Sequence, residues 1–130
     1  MSVLNLPDKT CAANHDVRVV CAALTGQRFR FSSERDLQDG IEQTLNRLGV
    51  ANKREARLTN EERVDFLVNR VAVEVKTKGN GVSVMRQLSR YAECHDVDAI
   101  VLVTAKQTLG CPSSIGGKPI TVVRIWSGAL

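Results

Sequence analysis

The chain has 130 residues, of which 43% are hydrophobic and 25% charged, and it carries a formal net charge of +4. This length predicts a single globular domain, residues 1–130, with a modest core, and the charge is a mild bias towards anionic partners that does not identify nucleic acid unaided. No apolar run reaches membrane length and the N-terminus lacks a signal-peptide layout, so we expect a cytoplasmic protein with no membrane partner. The four cysteines include no CxxC pair, which argues against a zinc site and for reduced thiols.

The first 30 residues have the least regular pattern, and we treat them as an N-terminal extension without assigned chemistry. Residues 16–24 are apolar enough for a short strand or a helix, and their periodicity does not choose between the two. Phe29 and Phe31 are expected to pack on the core, with Arg28 and Arg30 facing solvent. The core of the domain is predicted to span residues 31–105, followed by a C-terminal loop and strand in residues 106–130.

A helix is predicted over residues 34–48, because Ser32 or Ser33 suits its N-cap and Gly49 suits its C-terminal end. Its buried stripe is expected to consist of Leu37, Ile41, Leu45 and Leu48. Glu34 extends that stripe by one turn. On position alone, Glu34 is either a first-turn acid that suits the helix dipole or a functional carboxylate.

A strand over residues 53–58 and a turn at 59–61 precede a hairpin. Two apolar, β-branched runs, Val64–Val68 and Val71–Val75, are separated by Asn69 and Arg70, which is short enough for a two-residue loop. Glu55 is a possible further acid, but an exposed strand residue is the favoured interpretation.

The loop length fixes the register of the hairpin. Asp65 should lie opposite Glu74, with Lys76 two residues further on the same face, since side chains alternate along a strand. The same face should include Leu67, Ala72 and Lys78, and the other face Phe66, Val68, Val71, Val73 and Val75. Opposed like charges destabilise a sheet, whereas two carboxylates at one point can bind Mg²⁺. The alternative is a solvated polar face on which Lys76 neutralises Glu74.

Beyond the hairpin, a flexible loop at residues 79–81 leads to an amphipathic helix over residues 83–95, with Val84, Leu88, Tyr91 and Ala92 on its apolar side. Residues 98–105 form a continuous apolar run that predicts a strand buried on both faces. Residues 108–119 are rich in glycine and proline and predict a loop. A last strand is expected at residues 120–126, with a short tail after it.

The triad Asp65, Glu74 and Lys76 on apolar strands resembles the core motif of the PD-(D/E)xK nuclease superfamily, which includes restriction enzymes, Holliday-junction resolvases and phage nucleases. Val64 stands where the family's name has proline, a departure that many members share. The order helix, three strands, helix, strand also matches the superfamily's αβββαβ core. The resemblance, which spans about Phe31 to Ala105, implies an α/β fold with a mixed central sheet flanked by helices, like that of restriction endonucleases.

The resemblance also implies a metal-dependent deoxyribonuclease. Mg²⁺, with Mn²⁺ as a substitute, would be held by Asp65, Glu74 and the backbone carbonyl of Val75, with Glu34 as the third acid. Lys76 would orient the attacking water and stabilise the transition state. The segment 86–91 resembles the helix that follows this motif in resolvase-like and phage-type members, where a glutamine and a tyrosine approach the site. The expected DNA-binding residues are Lys78, Arg86, Gln87, Arg90 and Tyr91.

The expected function is therefore Mg²⁺-dependent endonucleolytic cleavage of DNA, in phage or mobile-element recombination, repair or packaging in a bacterial or phage-infected cell. Branched junctions, nicked duplex, free ends and specific sites all stay open as the preferred DNA. The alternatives are a binding domain of the nuclease fold without activity and a structural protein with a solvated hairpin face. A homodimer is expected, since one site cuts one strand. The dimer interface is expected to use two apolar segments, residues 19–24 and 120–126. Trp126 would either anchor that interface or cap the core.

Overall fold

The computed structural model describes residues 9–126. The helices are α1 (Lys9–Thr25), α2 (Glu34–Arg47) and α3 (Gly81–Ala92), and the strands are β1 (Lys53–Arg57), β2 (Arg63–Val68), β3 (Val71–Lys76), β4 (Ala99–Thr104), β5 (Ser114–Ile115) and β6 (Lys118–Arg124). The strands form one sheet in the order β1-β2-β3-β4-β6-β5. β1, β2 and β3 are antiparallel neighbours, whereas β3, β4 and β6 run parallel. The predicted mixed α/β class is confirmed.

The N-terminal segment is a helix and belongs to the core. The strand-or-helix ambiguity of residues 16–24 is settled by α1, whose buried side chains Ala13, Val20, Ala23 and Leu24 join a cluster with the sheet. Helix α1 contacts α2, β3, β4 and β6. Residues 19–24 are therefore largely used inside the domain, which corrects their assignment as spare interface material.

Helix α2 begins and ends as its sequence predicts. Ser33 is the N-cap and its hydroxyl accepts a hydrogen bond from the Asp36 amide, while Gly49 follows the helix with φ +74°. Leu48, however, is 48% exposed at the C-cap. Its placement in the buried stripe was wrong, because the helix has ended there and the backbone no longer holds the side chain over the sheet. Thr44 is buried instead.

The sheet separates two apolar clusters. Helices α1 and α2 cover one face together with Phe66, Val68, Val71, Val73 and Val75, as the hairpin register predicts. Helix α3 covers the other face, where Leu88, Tyr91, Leu102 and Ala72 meet. Strand β4 is buried along its whole length, which confirms its central position. No helix within residues 9–126 is long and apolar enough to cross a membrane.

The C-terminal part differs from the prediction in two respects. The loop expected over residues 108–119 contains a small hairpin, in which Gly116 and Gly117 turn with φ +57° and +78° between β5 and β6. Two consecutive positive φ values are those of a two-residue hairpin turn that glycine adopts without strain. Trp126 is 72% exposed, so it does not cap the core, while Ile120, Val123 and Ile125 are buried. The tail after Trp126 lies outside the described residues.

Candidate functional site

The β2–β3 hairpin brings Asp65 and Glu74 together. Its register pairs Phe66 with Val73 and Val68 with Val71, as predicted. Beyond the Phe66–Val73 pair, the Asp65 amide donates to Glu74 Oε1 at 3.3 Å, and the Val75 amide donates to Asp65 Oδ2 at 2.8 Å. The Asp65 carboxylate therefore occupies the position that a ladder carbonyl would take, which fixes its orientation beside Glu74.

A local distortion of β1 and β2 aims Asp65 at that position. The β1–β2 register is regular on both sides of Glu55 and Asp65 but omits this pair, and Glu55 has φ +49°. Phe66 joins the cluster on the α1–α2 face, whereas Val64 joins the cluster under α3. Val64 and Phe66, two positions apart, thus face opposite sides of the sheet, because Glu55 and Asp65 are left out of the pairing between them. The sequence alternation gave no indication of this reversal.

Glu74 is the most enclosed of the site carboxylates, with 2% of its surface exposed. The Tyr91 hydroxyl lies 3.0 Å from its Oε1 and 2.9 Å from the Arg63 carbonyl oxygen, so one proton serves both acceptors, and Gln87 Nε2 donates to that hydroxyl at 2.8 Å. Glu74 Oε2 lies 3.4 Å from the Lys76 ammonium. Glu74 therefore has a hydroxyl donor on one oxygen and an ammonium beside the other.

Both carboxyl groups of the pair have raised pKa values. The pKa of Glu74 is raised to about 8, by burial first and by the neighbouring Asp65 charge second, against the opposing effects of Lys76 and Tyr91. Burial also raises the pKa of Asp65; the Val75 amide opposes this shift, and the charge of Glu34 adds to it. Two carboxyl groups that share a poorly solvated position are a typical arrangement at a functional site, where an additional cation relieves their repulsion.

Glu34 reaches the same end of β3 from the first turn of α2. Its Oε1 accepts hydrogen bonds from the Thr77 amide at 3.0 Å and from the Thr77 hydroxyl at 3.4 Å. Because Thr77 directly follows Lys76, Glu34 lies at the C-terminal end of β3, and its charge acts on Asp65. Thr77 was not among the predicted site residues, and no sequence signal marks it apart from its place after the Glu-x-Lys pattern.

The remaining predicted residues divide into those that reach the site and those that do not. Gln87 and Tyr91 approach it through Glu74, but Tyr91 is fully buried, so its hydroxyl contacts a carboxylate and not a ligand at the surface. Lys78 and Arg86 are exposed. Arg90 is also exposed, and its Nε donates to Glu62 Oε1 at 2.8 Å.

The groups that the site could offer to Mg²⁺ are two adjacent carboxylates and a backbone carbonyl. Within residues 9–126, no group of three or more His, Cys, Asp or Glu side chains could hold a metal ion. Mg²⁺ commonly binds through one or two carboxylates plus waters and substrate phosphates, without a closed protein cage. The adjacent Asp65 and Glu74 fit that open arrangement. Val75 lies between Glu74 and Lys76 with its side chain in the core, so only its backbone could add a ligand.

Comparison with family models, with curated proteins and with solved structures gave no match to this chain. The fold and the site together describe a mixed α/β domain in which a buried and a half-buried carboxyl group lie side by side, with a lysine and a third acid at the C-terminal end of a strand in the middle of the sheet. In open α/β sheets, the C-terminal ends of parallel strands are the usual place for a ligand.

Proposed function

We propose that this protein is a Mg²⁺-dependent DNA endonuclease that hydrolyses phosphodiester bonds. The observation that supports this most is the pair Asp65 and Glu74, held together by the hairpin backbone with Lys76 3.4 Å from Glu74. The chain order α2-β1-β2-β3-α3-β4 agrees with the αβββαβ core of the PD-(D/E)xK superfamily. We propose that the domain has that restriction-endonuclease-like core.

The burial of Glu74 favours a catalytic use over a solvated polar face. A side chain with 2% exposure is not at a solvated surface. Its raised pKa means that, at neutral pH, the protein must either keep this carboxyl protonated or neutralise it. Lys76 supplies one positive charge to the two carboxylates, and Glu34 adds a third negative charge nearby. A divalent cation would balance this set, and its binding would release protons.

The residues of the chain have distinct roles in this proposal. Asp65 and Glu74 would hold Mg²⁺, together with the Val75 carbonyl, and the ion would polarise the scissile phosphate and acidify water. Lys76, freed from Glu74 when that carboxylate is neutralised, would place its ammonium against the developing negative charge on phosphate oxygen. Tyr91 holds Glu74 in place from the core side.

Substrate contacts are proposed for exposed cations near the site. Lys78 and Arg86 are exposed and take part in no ion pair within the described residues, so both remain candidates for DNA phosphate contacts. Glu34 would bind the same ion, a second ion or a water molecule between them. We propose branched DNA as the substrate, and recombination, repair or packaging of phage or mobile-element DNA as the setting.

One observation favours the alternative of a DNA-binding domain of the nuclease fold without activity. Glu34 Oε1 is engaged by Thr77, and the described residues contain no three-acid group that could hold a metal ion. The two candidates separate in one assay, because only the active enzyme cleaves DNA when Mg²⁺ is added to the bound complex.

We also propose a homodimer, because a chain with one Asp65–Glu74–Lys76 set has one site for two strands. The apolar segments first considered for its interface are mostly buried in the domain's own core. Sedimentation at micromolar concentration should show a species of twice the mass of the chain. A monomer that makes double-strand breaks in a single binding event would contradict this proposal.

The experiment for the main proposal uses a panel of labelled linear duplex, single strand, flap and four-way junction with Mg²⁺, Ca²⁺ or EDTA. Cleavage should require Mg²⁺ or Mn²⁺, while Ca²⁺, with its looser geometry, should support binding and little cleavage. Asp65→Ala and Glu74→Ala should abolish cleavage and remain folded by circular dichroism. Glu61→Ala, at an exposed acid of the β1–β2 turn, is the matched control. Near-wild-type activity in either site variant would refute the assignment.

A further inference from the structure

Cations at the C-terminal ends of β3, β4 and β6 form a second surface beside the candidate site. The parallel registers pair Lys76 with Thr104 and Thr104 with Arg124, so these three residues lie in one row across the sheet. Neighbouring strands are about 4.8 Å apart, which puts the Lys76 and Arg124 Cα atoms about 10 Å apart. Trp126 follows Arg124 by two residues at the same edge of the sheet.

The chain segments that form this edge contain no acidic residue. Residues 75–92 contain two lysines and two arginines, residues 99–126 contain two lysines and one arginine, and neither segment contains Asp or Glu. All 14 acidic residues of the chain lie in the remaining segments. These segments therefore contribute cations and no acid of their own to the edge beside the site, which favours an anionic partner.

Two of these cations are bound only by backbone carbonyls. Lys106 Nζ donates to the Gly79 carbonyl at 2.6 Å, and the Arg124 guanidinium donates to the carbonyls of Lys106 and Leu109 at 2.9 and 2.7 Å. These bonds hold the loops after β3 and β4 together but do not neutralise the charges. Within residues 9–126, neither side chain forms an ion pair with a carboxylate.

Trp126 places an aromatic ring at the end of this row. It is the only tryptophan of the chain and is 72% exposed, although neighbouring Ile125 is buried. The backbone before it is fixed, since the Ile125 amide donates to the Thr104 carbonyl and the Ile125 carbonyl accepts from Gln107. Proteins bind single-stranded nucleic acid with cations that contact phosphates and aromatic rings that stack on bases. The exposed indole of Trp126, on an anchored strand end beside unpaired cations, is such a combination.

We propose that the edge formed by Lys106, Arg124 and Trp126 binds an unpaired DNA strand and leads it to the Lys76 end of β3. This inference rests on the proposed function, because it takes DNA as the ligand. It narrows the substrate class to DNA with a single-stranded segment next to the cleaved bond. A blunt duplex offers no base face at its side for Trp126, because its bases are stacked on one another.

The sole tryptophan makes the surface directly observable in the unmodified protein. Oligothymidylate titrated into the wild-type chain in EDTA, where no cleavage occurs, should quench Trp126 fluorescence to saturation and less strongly as salt increases. A blunt duplex should quench it much less. The absence of quenching by the single strand, or equal quenching by both ligands, would overturn the proposal.

The second measurement is the affinity of variants for oligothymidylate, followed by the fluorescence anisotropy of a labelled strand. Trp126→Ala should weaken binding by about tenfold, within the range expected for the loss of one stacked base, and Trp126→Phe should restore most of it. Arg18→Ala, an exposed cation of α1 on the other side of the sheet, is the control for a change of net charge and should have little effect. Equal affinity of Trp126→Ala and wild type would overturn the proposal.

The outcomes separate this surface from the catalytic proposal. Single-strand quenching of Trp126 without Mg²⁺-dependent cleavage of any DNA would support the surface and refute hydrolysis. Cleavage that needs Glu74 but leaves Trp126 unresponsive would support hydrolysis and refute the surface. If Trp126 emission instead changes on dilution of the protein, and Trp126→Ala dissociates a dimer in sedimentation, the ring lies in a homodimer interface and the strand-binding role is overturned.

Discussion

Replacing Glu74 with glutamine isolates the free-energy cost of the buried carboxylate. The pKa of this carboxyl group rises from 4.5 in the unfolded chain to about 8 in the folded protein. The folded state therefore keeps its proton over a pH range in which the unfolded state has lost it. The retained proton therefore contributes to the free energy of unfolding. This contribution is fully present below pH 4.5 and is lost progressively as the pH rises to 8. Glutamine resembles the protonated carboxyl group and does not titrate.

The size of the effect follows from the same two values. At pH 7, the unfolded carboxyl is ionised while the folded one is mostly protonated, so metal-free wild type loses about 3 kcal/mol of unfolding free energy relative to acid pH. Glu74→Gln should avoid that loss. For a chain of this length, 3 kcal/mol corresponds to an increase of about 10 °C in melting temperature. Near pH 4.5 the difference between the variant and wild type should approach zero.

The assay is urea or thermal unfolding in EDTA at a series of pH values, followed by circular dichroism. Glu61→Gln, at an exposed acid, is the matched control for replacing a carboxyl group with an amide and should not reproduce the stabilisation by Glu74→Gln. Mg²⁺ should then stabilise wild type, because a ligand that binds only the folded state adds to its stability, and should stabilise Glu74→Gln much less. A Glu74→Gln variant that is no more stable than wild type at pH 7, or whose advantage is the same at every pH, would refute the reasoning.

Two further predictions concern the neighbours of Glu74. Lys76→Ala should slow cleavage by about 10²–10³-fold but leave the Mn²⁺ affinity measured by isothermal titration calorimetry nearly unchanged, because an ammonium group cannot be a metal ligand; equal losses of both would contradict its role. Lys76→Arg should not restore full activity, since a guanidinium is planar and wider. Tyr91→Phe removes the hydroxyl donor that lowers the pKa of Glu74, so the acid limb of the pH–rate profile should move to higher pH. An unchanged profile would show that this hydrogen bond does not influence the reacting state.

The sequence by itself determined the parts of the fold that depend on local chemistry. The apolar runs around Asn69 and Arg70 gave the hairpin and its register, and Ser33 and Gly49 gave the two ends of α2. These features were readable because alternation, loop length and capping involve residues close together in the chain. The predicted register also brought Asp65 and Glu74 close together, but the regular pairing ends at Phe66 and Val73, so the two acids are neighbours without being a ladder pair.

The contacts by which distant segments complete the site could not be predicted from the sequence. The burial of Tyr91 against Glu74, the bond from Thr77 to Glu34 and the pairing of Arg90 with Glu62 join residues 17 to 43 positions apart. Beside Asp65, the side chains of β2 change from one face of the sheet to the other. This change requires β1 and β2 to distort together, so the pattern of one strand cannot predict it. Periodicity in the sequence shows which face of a helix or strand is apolar. It does not show which other element covers that face, because this depends on the packing of the whole chain.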